Sequence, residues 1–212
     1  MVLVQKPIKN IYLWDKWWVT ETYDFRTLSW SQLEAQWWWK WSQTWLDSNW
    51  MYNNNSSTDK YDATLYCPID ISQANHLYLK RTAYWVSWSW AWWITVWLNS
   101  IMSWDSWYRF QTWLWMNNNS WYRWQWIYLE WWDLVNQEIG LSTWDYTIEF
   151  DIDFTTWAVT STRTWPTTFT QTATLNATQI ANVKTNTKYI RSNIWHGYYQ
   201  AHRIYTLEFT IT

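Results

Sequence analysis

Glycine is nearly absent from this chain of 212 residues, which has 2 glycines against 29 tryptophans. Average usage would supply about 15 glycines, because turns with a positive φ depend on them. Many of the tryptophans lie beside Ser, Asn, Asp or another Trp, as in Gln36–Ser42 and Ser87–Trp93. This is the composition of turns, where glycine is common and tryptophan is rare. The tryptophans therefore occupy positions that are typical of glycine.

A change of codon meaning explains this distribution. Some bacteria and their phages read UGA as glycine, whereas a common alternative code reads it as tryptophan, so the wrong table replaces one residue by the other. We interpret most of the tryptophans as glycines whose UGA codons were translated with the wrong table. The alternative is a genuinely Trp-rich protein. Trp97 and Trp126 fall inside strand patterns, where either residue type fits. The positions that we expect to lie exposed in loops are Trp37, Trp38, Trp39, Trp88, Trp90, Trp131 and Trp157.

Other scarcities narrow the function. Cys67 is the only cysteine, so neither an internal disulfide nor a multi-thiolate zinc site can form. Lys plus Arg number 15 against 17 Asp plus Glu, which leaves no basic excess for nucleic acid or an anionic membrane. No apolar run reaches the roughly 18 residues of a membrane span, and residues 1–10 lack the layout of a Sec signal peptide. We therefore expect no nucleic-acid binding, no membrane insertion, no metal and no cofactor.

Short runs of β-branched and aromatic residues are abundant from Tyr61 onward. In the clearest one, Asp145–Phe154, apolar and polar residues alternate, as in an antiparallel strand with one buried face. Residues 30–60 are interpreted as loop with little strand, and Ala177–Val183 as a helical turn capped by Asn176. The predicted fold is an all-β, antiparallel two-sheet sandwich. Its predicted strands are Tyr61–Ile71, His76–Tyr84, Ile94–Leu98, Tyr108–Leu114, Gln125–Glu130, Asp145–Phe154, Ala158–Arg163, Thr168–Leu175, Lys188–Ile194 and Arg203–Thr212.

The region from Tyr61 to the C-terminus resembles the concanavalin-like jelly roll of lectins and laminin-G-type modules. The resemblance is one of pattern: the hairpin Tyr146–Arg163, then Leu175–Ala181 leading to Tyr189–Arg191, then a closing strand. It implies the fold and, by analogy, a binding function.

The opening Lys9–Lys16, with Trp14 read as glycine, resembles the Ile-Tyr-Leu-Gly start of phage and prophage tail-fibre and virion-associated proteins. This resemblance implies an N-terminal strand or attachment segment, residues 1–22, before a jelly-roll domain, residues 23–212. We expect the strand Ile8–Leu13 to lie at the margin of the sandwich. The implied location is a virion or extracellular appendage, reached without a Sec signal peptide.

Glu149, Asp151 and Asp153 alternate with apolar residues and therefore share one strand face. The pattern resembles the Glu-x-Asp-x-Glu strand of laminarinase-type glycoside hydrolases. That resemblance implies Glu149 as nucleophile, Asp151 as its tuner and position 153 as acid. Asp153 departs from the pattern by one methylene. The other interpretation is a solvated strand face, and we assign no catalytic residue.

Tyrosines in loops can stack on sugar rings, and their identity does not depend on how UGA is translated. Together with the three carboxylates they form the predicted ligand-binding set: Tyr108, Tyr122, Tyr198, Tyr199, Glu149, Asp151 and Asp153. We interpret the chain as a non-catalytic carbohydrate- or surface-binding module of a phage tail or surface appendage. Its expected partners are a cell-surface glycan or other virion proteins, with a homo-oligomer left open. The alternatives are a purely structural virion or appendage protein and a laminarinase-type hydrolase that uses Glu149 and Asp153.

Overall fold

The computed structural model of the chain describes residues 19–36, 38–40, 44–46, 51–53, 63–85, 93–99, 109–116, 123–129, 132–138, 145–164, 168–195 and 202–212. Strands dominate these residues. The elements are β1 Val19–Asp24, α1 Trp30–Ala35, β2 Trp39–Lys40, β3 Thr44–Leu46, β4 Met51–Asn53, β5 Ala63–Pro68, β6 His76–Trp85, β7 Trp93–Asn99, β8 Arg109–Met116, β9 Arg123–Leu129, β10 Trp132–Glu138, β11 Asp145–Asp153, β12 Ala158–Thr164, β13 Phe169–Thr174, α2 Ala177–Asn186, β14 Tyr189–Trp195 and β15 His202–Ile211.

The strands form two antiparallel sheets. Sheet I has the order β13-β12-β11-β6-β15-β4-β3, and β1 also pairs with β15. Sheet II has the order β10-β9-β8-β7-β14-β5-β2. In each sheet, strands that are distant in the chain lie side by side, as β6 does between β11 and β15. The predicted all-β, antiparallel two-sheet sandwich is therefore confirmed.

The hydrophobic core draws on alternate residues of these strands. On β11 the apolar residues Tyr146, Ile148, Phe150 and Ile152 are buried, as is Phe154 directly after the strand, as the alternation predicted. Sheet II contributes the buried side chains Leu65, Cys67, Leu98, Ile127, Leu129 and Ile190 to the same cluster. Burying one such large apolar side chain contributes roughly 1.5–3 kcal/mol, so this layer stabilises the pairing of the sheets.

Helix α2 leads from β13 of sheet I to β14 of sheet II and buries Ile180 and Val183. Its first turn has a reciprocal cap: the Gln179 amide donates to Asn176 Oδ1 at 2.9 Å, and the Asn176 amide donates to Gln179 Oε1 at 2.9 Å. The predicted cap is confirmed, and the helix extends beyond Val183. Among the described residues no helix is long and apolar enough to cross a membrane.

The prediction of loop with little strand for residues 30–60 was wrong for its described part. This stretch contains α1 and the short strands β2, β3 and β4. Ser29 caps α1 through a capping box with Gln32, and Leu33 is fully buried.

Strands β1 and β10 were also not predicted. Val19–Asp24 pairs with β15 inside sheet I, so the last residues of the expected attachment segment belong to the sheet. Ile8–Leu13 lies outside the described residues.

The tryptophan predictions have mixed outcomes. Trp157 lies in the turn after β11 and is 44% exposed, as expected. Trp38 was expected to be exposed but is only 3% exposed, because the chain turns back into the core after α1 and the indole packs against Tyr23 and Phe25. Trp39 begins a strand instead of lying in a loop. The remaining loop predictions fall outside the described residues: Trp37, Trp88, Trp90 and Trp131.

We expect Asn176→Ala to lower the free energy of unfolding by about 1 kcal/mol, because it leaves the amide of Gln179 without its cap. Thr178→Ala is the matched control, since Thr178 lies exposed in the same helical turn. Urea unfolding followed by circular dichroism measures both variants. Equal losses in the two variants would show that the cap contributes nothing specific.

Candidate functional site

The predicted carboxylates lie on the outer face of sheet I, opposite the core. The register aligns Glu149 with Lys80 of β6, and Asp151 with Tyr78 of the same strand. On the other side β12 contributes Thr162 and Thr160 at the same levels. The face is therefore polar, with carboxylates, hydroxyls and one ammonium group on neighbouring strands.

Two of the carboxylates have partners from β6. Asp151 Oδ1 contacts His76 Nε2, an ion pair when the imidazole is protonated. The second pair is Glu149 and Tyr78. Burial and the neighbouring Glu149 carboxylate raise the pKa of Tyr78 well above its usual value, so its hydroxyl stays protonated and can donate to Glu149. Among the described residues no group of His, Cys, Asp and Glu side chains is placed to hold a metal ion.

Asp153 caps the turn that follows β11. Its Oδ1 accepts hydrogen bonds from the Thr155 hydroxyl at 2.6 Å, the Thr155 amide at 2.8 Å and the Thr156 amide at 3.0 Å. These donors, the Thr155 hydroxyl first, hold the pKa of Asp153 well below its usual range. A general acid needs a raised pKa, because it must hold its proton near neutral pH. The environment of Asp153 therefore disfavours the acid role implied by the laminarinase resemblance.

The backbone spacing along β11 is the one that the laminarinase resemblance implies. The strand pairs with β6 and β12 without a register shift between Thr147 and Asp153, so its rise is regular. Residues 149 and 153 are then about 13 Å apart along the backbone, as any i, i+4 pair of a strand is. The hydrogen bonds of Asp153 and the contact of Asp151 with His76, and not this spacing, therefore argue against the hydrolase alternative.

The outer face of sheet II has a different composition. Because Leu98, Ile127 and Ile190 belong to the core, the residues that alternate with them lie on the opposite side of the sheet. In the register, every tryptophan of β7, β8, β9 and β14 falls at a position that alternates with the core positions: Trp93, Trp97, Trp113, Trp115, Trp124, Trp126 and Trp195.

The register aligns several of these positions in rows across the sheet. One row, here named the tryptophan row, consists of Trp195, Trp93, Trp115 and Trp124 on successive strands β14, β7, β8 and β9. The next row contains Asn193, Thr95, Trp113 and Trp126. Sequence alternation alone could not reveal these rows, because they depend on the strand order and register.

A third row on this face includes Tyr66 and Arg191, which are aligned on β5 and β14. The Arg191 guanidinium lies 5.5 Å from the centre of the Tyr66 ring, and the Tyr189 ring lies 6.2 Å from it. Tyr66 and Arg191 are fully buried although they alternate with core residues, so this part of the outer face is covered. A desolvated cation–π pair contributes about 2 kcal/mol, which fits a structural role for Arg191.

The predicted tyrosines Tyr108, Tyr122, Tyr198 and Tyr199 lie outside the described residues. Their places in the chain are still informative. Tyr122 directly precedes β9, and Tyr198 and Tyr199 closely follow β14. Those two strand ends carry Trp124 and Trp195 of the tryptophan row. Tyr108 directly precedes β8 in the chain.

No protein-family profile matches the chain, and no curated protein sequence matches it. Solved structures match it in fold. A winged bean acidic lectin complexed with methyl-α-D-galactose is 12% identical, with a TM-score of 0.68 over 92% of this chain and 99% of that one. Lectin II from Ulex europaeus is 10% identical, with a TM-score of 0.65 over 92% and 98%.

An endo-1,3-β-glucanase from Streptomyces sioyaensis is also similar, at 10% identity and a TM-score of 0.61 over 92% of this chain and 97% of that one. Lectins and a glucanase thus share the architecture of this chain. Identities this low establish the fold, which is the concanavalin-like jelly roll that the sequence pattern implied. Any functional argument must therefore come from the residues on the outer faces of sheets I and II.

We expect Asp153→Asn to flatten the acid limb of the stability profile. The folded pKa of Asp153 lies below its unfolded value of about 3.9, so its stabilising contribution is present above that pH and is lost as the pH falls below it. Thermal unfolding midpoints between neutral pH and strongly acidic pH measure the effect. Thr160→Ala, on the same outer face, is the control and should keep the wild-type profile. Parallel acid limbs for wild type and Asp153→Asn would contradict the assignment.

Proposed function

We propose that this protein is a non-catalytic carbohydrate-binding domain whose ligand lies on the outer face of sheet II. The observation that carries the proposal is the register, in which every tryptophan of β7, β8, β9 and β14 aligns at positions that alternate with the core. Aromatic rings offer large apolar surfaces that can cover the apolar side of a sugar ring. The jelly-roll fold shared with a lectin complexed with methyl-α-D-galactose supports this ligand class.

The proposed ligand face is the same whichever residue the tryptophan codons specify. As tryptophans, these positions supply aromatic contacts. As glycines, they leave a trough without side chains, and glycine within a strand often marks a place where a ligand or another backbone approaches closely. In both cases the polar positions Asn193, Thr95 and Gln111 lie among them and can exchange hydrogen bonds with sugar hydroxyls.

A neutral saccharide is the ligand class that fits the charge of the chain. The formal net charge is −2, without a basic excess that would favour a polyanionic glycan. Two arginines occupy register positions on this face: Arg191, which is buried against Tyr66, and Arg109 at the start of β8. The proposed contacts are therefore aromatic surface or backbone together with amide and hydroxyl groups.

The setting that we propose is a phage tail or surface appendage, where the domain would bind a cell-surface glycan. The resemblance of Lys9–Lys16 to tail-fibre proteins supports this setting. Other virion or appendage proteins, and further copies of the chain, are the proposed protein partners.

We expect Thr95→Arg to weaken glycan binding by more than about tenfold, equivalent to about 1.4 kcal/mol, because a long charged side chain would obstruct the centre of the face. Thr160→Arg places the same residue on the outer face of sheet I and should leave the affinity unchanged. A glycan array of neutral oligosaccharides identifies the ligand, and calorimetry gives the affinities. Loss of binding with Thr160→Arg alone would place the ligand on the other sheet.

We expect the wild-type protein to release no reducing sugar from 1,3-β-glucan, and Glu149→Gln to bind glycan as wild type does. Asp153 is a turn cap and Asp151 is paired with His76, so both candidate partners of Glu149 on β11 are already engaged. The assay uses purified protein with both variants side by side. Hydrolysis that Glu149→Gln abolishes would instead support the laminarinase-type alternative.

A further inference from the structure

Trp157 has a backbone conformation that tryptophan rarely adopts. Its φ is 66°, and it is the one residue with a positive φ among those that the structure describes. In an L-residue this region brings Cβ close to the following carbonyl oxygen, and a bulky side chain there is a genuine outlier. Glycine has no Cβ and adopts the region freely.

The neighbours of the turn, rather than its own side chain, determine this conformation. Asp153 pairs with Ala158, so residues 154–157 close the loop between β11 and β12. At the loop's start the Phe154 amide donates to the Asn75 carbonyl at 2.9 Å, and at its end the Trp157 carbonyl accepts from the Leu175 amide at 2.8 Å. Strained backbone persists where the surroundings fix it in this way.

Trp157 is much less buried than Trp38, so burial offsets less of that strain. The residue Trp157 is 44% exposed, whereas the residue Trp38 is 3% exposed. The Trp38 ring also lies 4.6 Å from Tyr23 and 5.9 Å from Phe25, measured between ring centres. Trp38 therefore has the environment of a tryptophan, and Trp157 has the environment of a turn glycine.

We propose that residue 157 is glycine in the protein as its own host makes it, because the codon there is UGA and is read by a glycine-charged tRNA. The partner in translation is a tRNA with the anticodon UCA that accepts glycine. The printed tryptophan then results from reading the gene with a different code. The ratio of 29 tryptophans to 2 glycines extends the same explanation beyond this position.

The test compares Trp157→Gly with Trp157→Ala. Both variants remove the indole, but alanine keeps the Cβ that disfavours a positive φ, so the difference between them isolates the backbone conformation. We expect Trp157→Gly to raise the thermal unfolding midpoint by about 2–4 °C or more above both wild type and Trp157→Ala. A midpoint for the glycine variant at or below that of the alanine variant would overturn the proposal.

Trp38→Gly is the matched control and should lower the midpoint, because it removes a buried ring from an aromatic cluster. The codon itself gives a second readout, independent of stability and of glycan binding. We expect UGA at position 157 of the gene, and glycine in the corresponding peptide by mass spectrometry of protein from the native source. A UGG codon there, or a tryptophan in that peptide, would refute it.

Discussion

The hydrophobic core packed between the two sheets determines which side of each strand faces away from the core. Phe150 and Leu79 of sheet I and Leu98 and Ile190 of sheet II all belong to this layer. Side chains alternate along a strand, so a slip of one residue in register would move every outward residue into the core. The outward positions of Glu149 on one sheet and of the tryptophan row on the other are thus fixed by the same buried residues.

The layer also contains charge, which restricts how the sheets can align. Arg81 is fully buried on β6, and its Nη1 donates to Ser192 Oγ of sheet II at 3.4 Å. Burial raises the pKa of Tyr146 to about 12, although the neighbouring Arg81 opposes the shift. Taking a guanidinium out of water costs several kcal/mol unless hydrogen bonds compensate it. An alignment that separated Arg81 from Ser192 would lose this contact across the sheets.

The sequence was sufficient to predict an element where apolar and polar residues alternate clearly along a strand, or where a helix cap has a recognisable side chain. The strand predicted at Asp145–Phe154 is present as β11, Asp145–Asp153, and the predicted Asn176 cap is present as well. Prediction from the sequence failed at β10 and around Trp38, because runs of tryptophan were interpreted as glycine-rich turns. The partners of the acidic strand could not be predicted either. Nothing in the periodicity of β11 indicates that β6, with His76 and Tyr78, is its neighbour.

The residue that UGA specifies at position 157 and in the tryptophan row also bears on the proposed ligand face. Adjacent positions in a row are separated by the strand spacing of about 4.8 Å, which is narrower than an indole lying flat on the sheet. Four neighbouring indoles therefore cannot all present their faces to a ligand. Where some of these positions are glycine, the space they leave lets a neighbouring ring lie flat or a sugar reach the backbone. The residue encoded at each position of the row therefore determines the shape of the surface that a saccharide would meet.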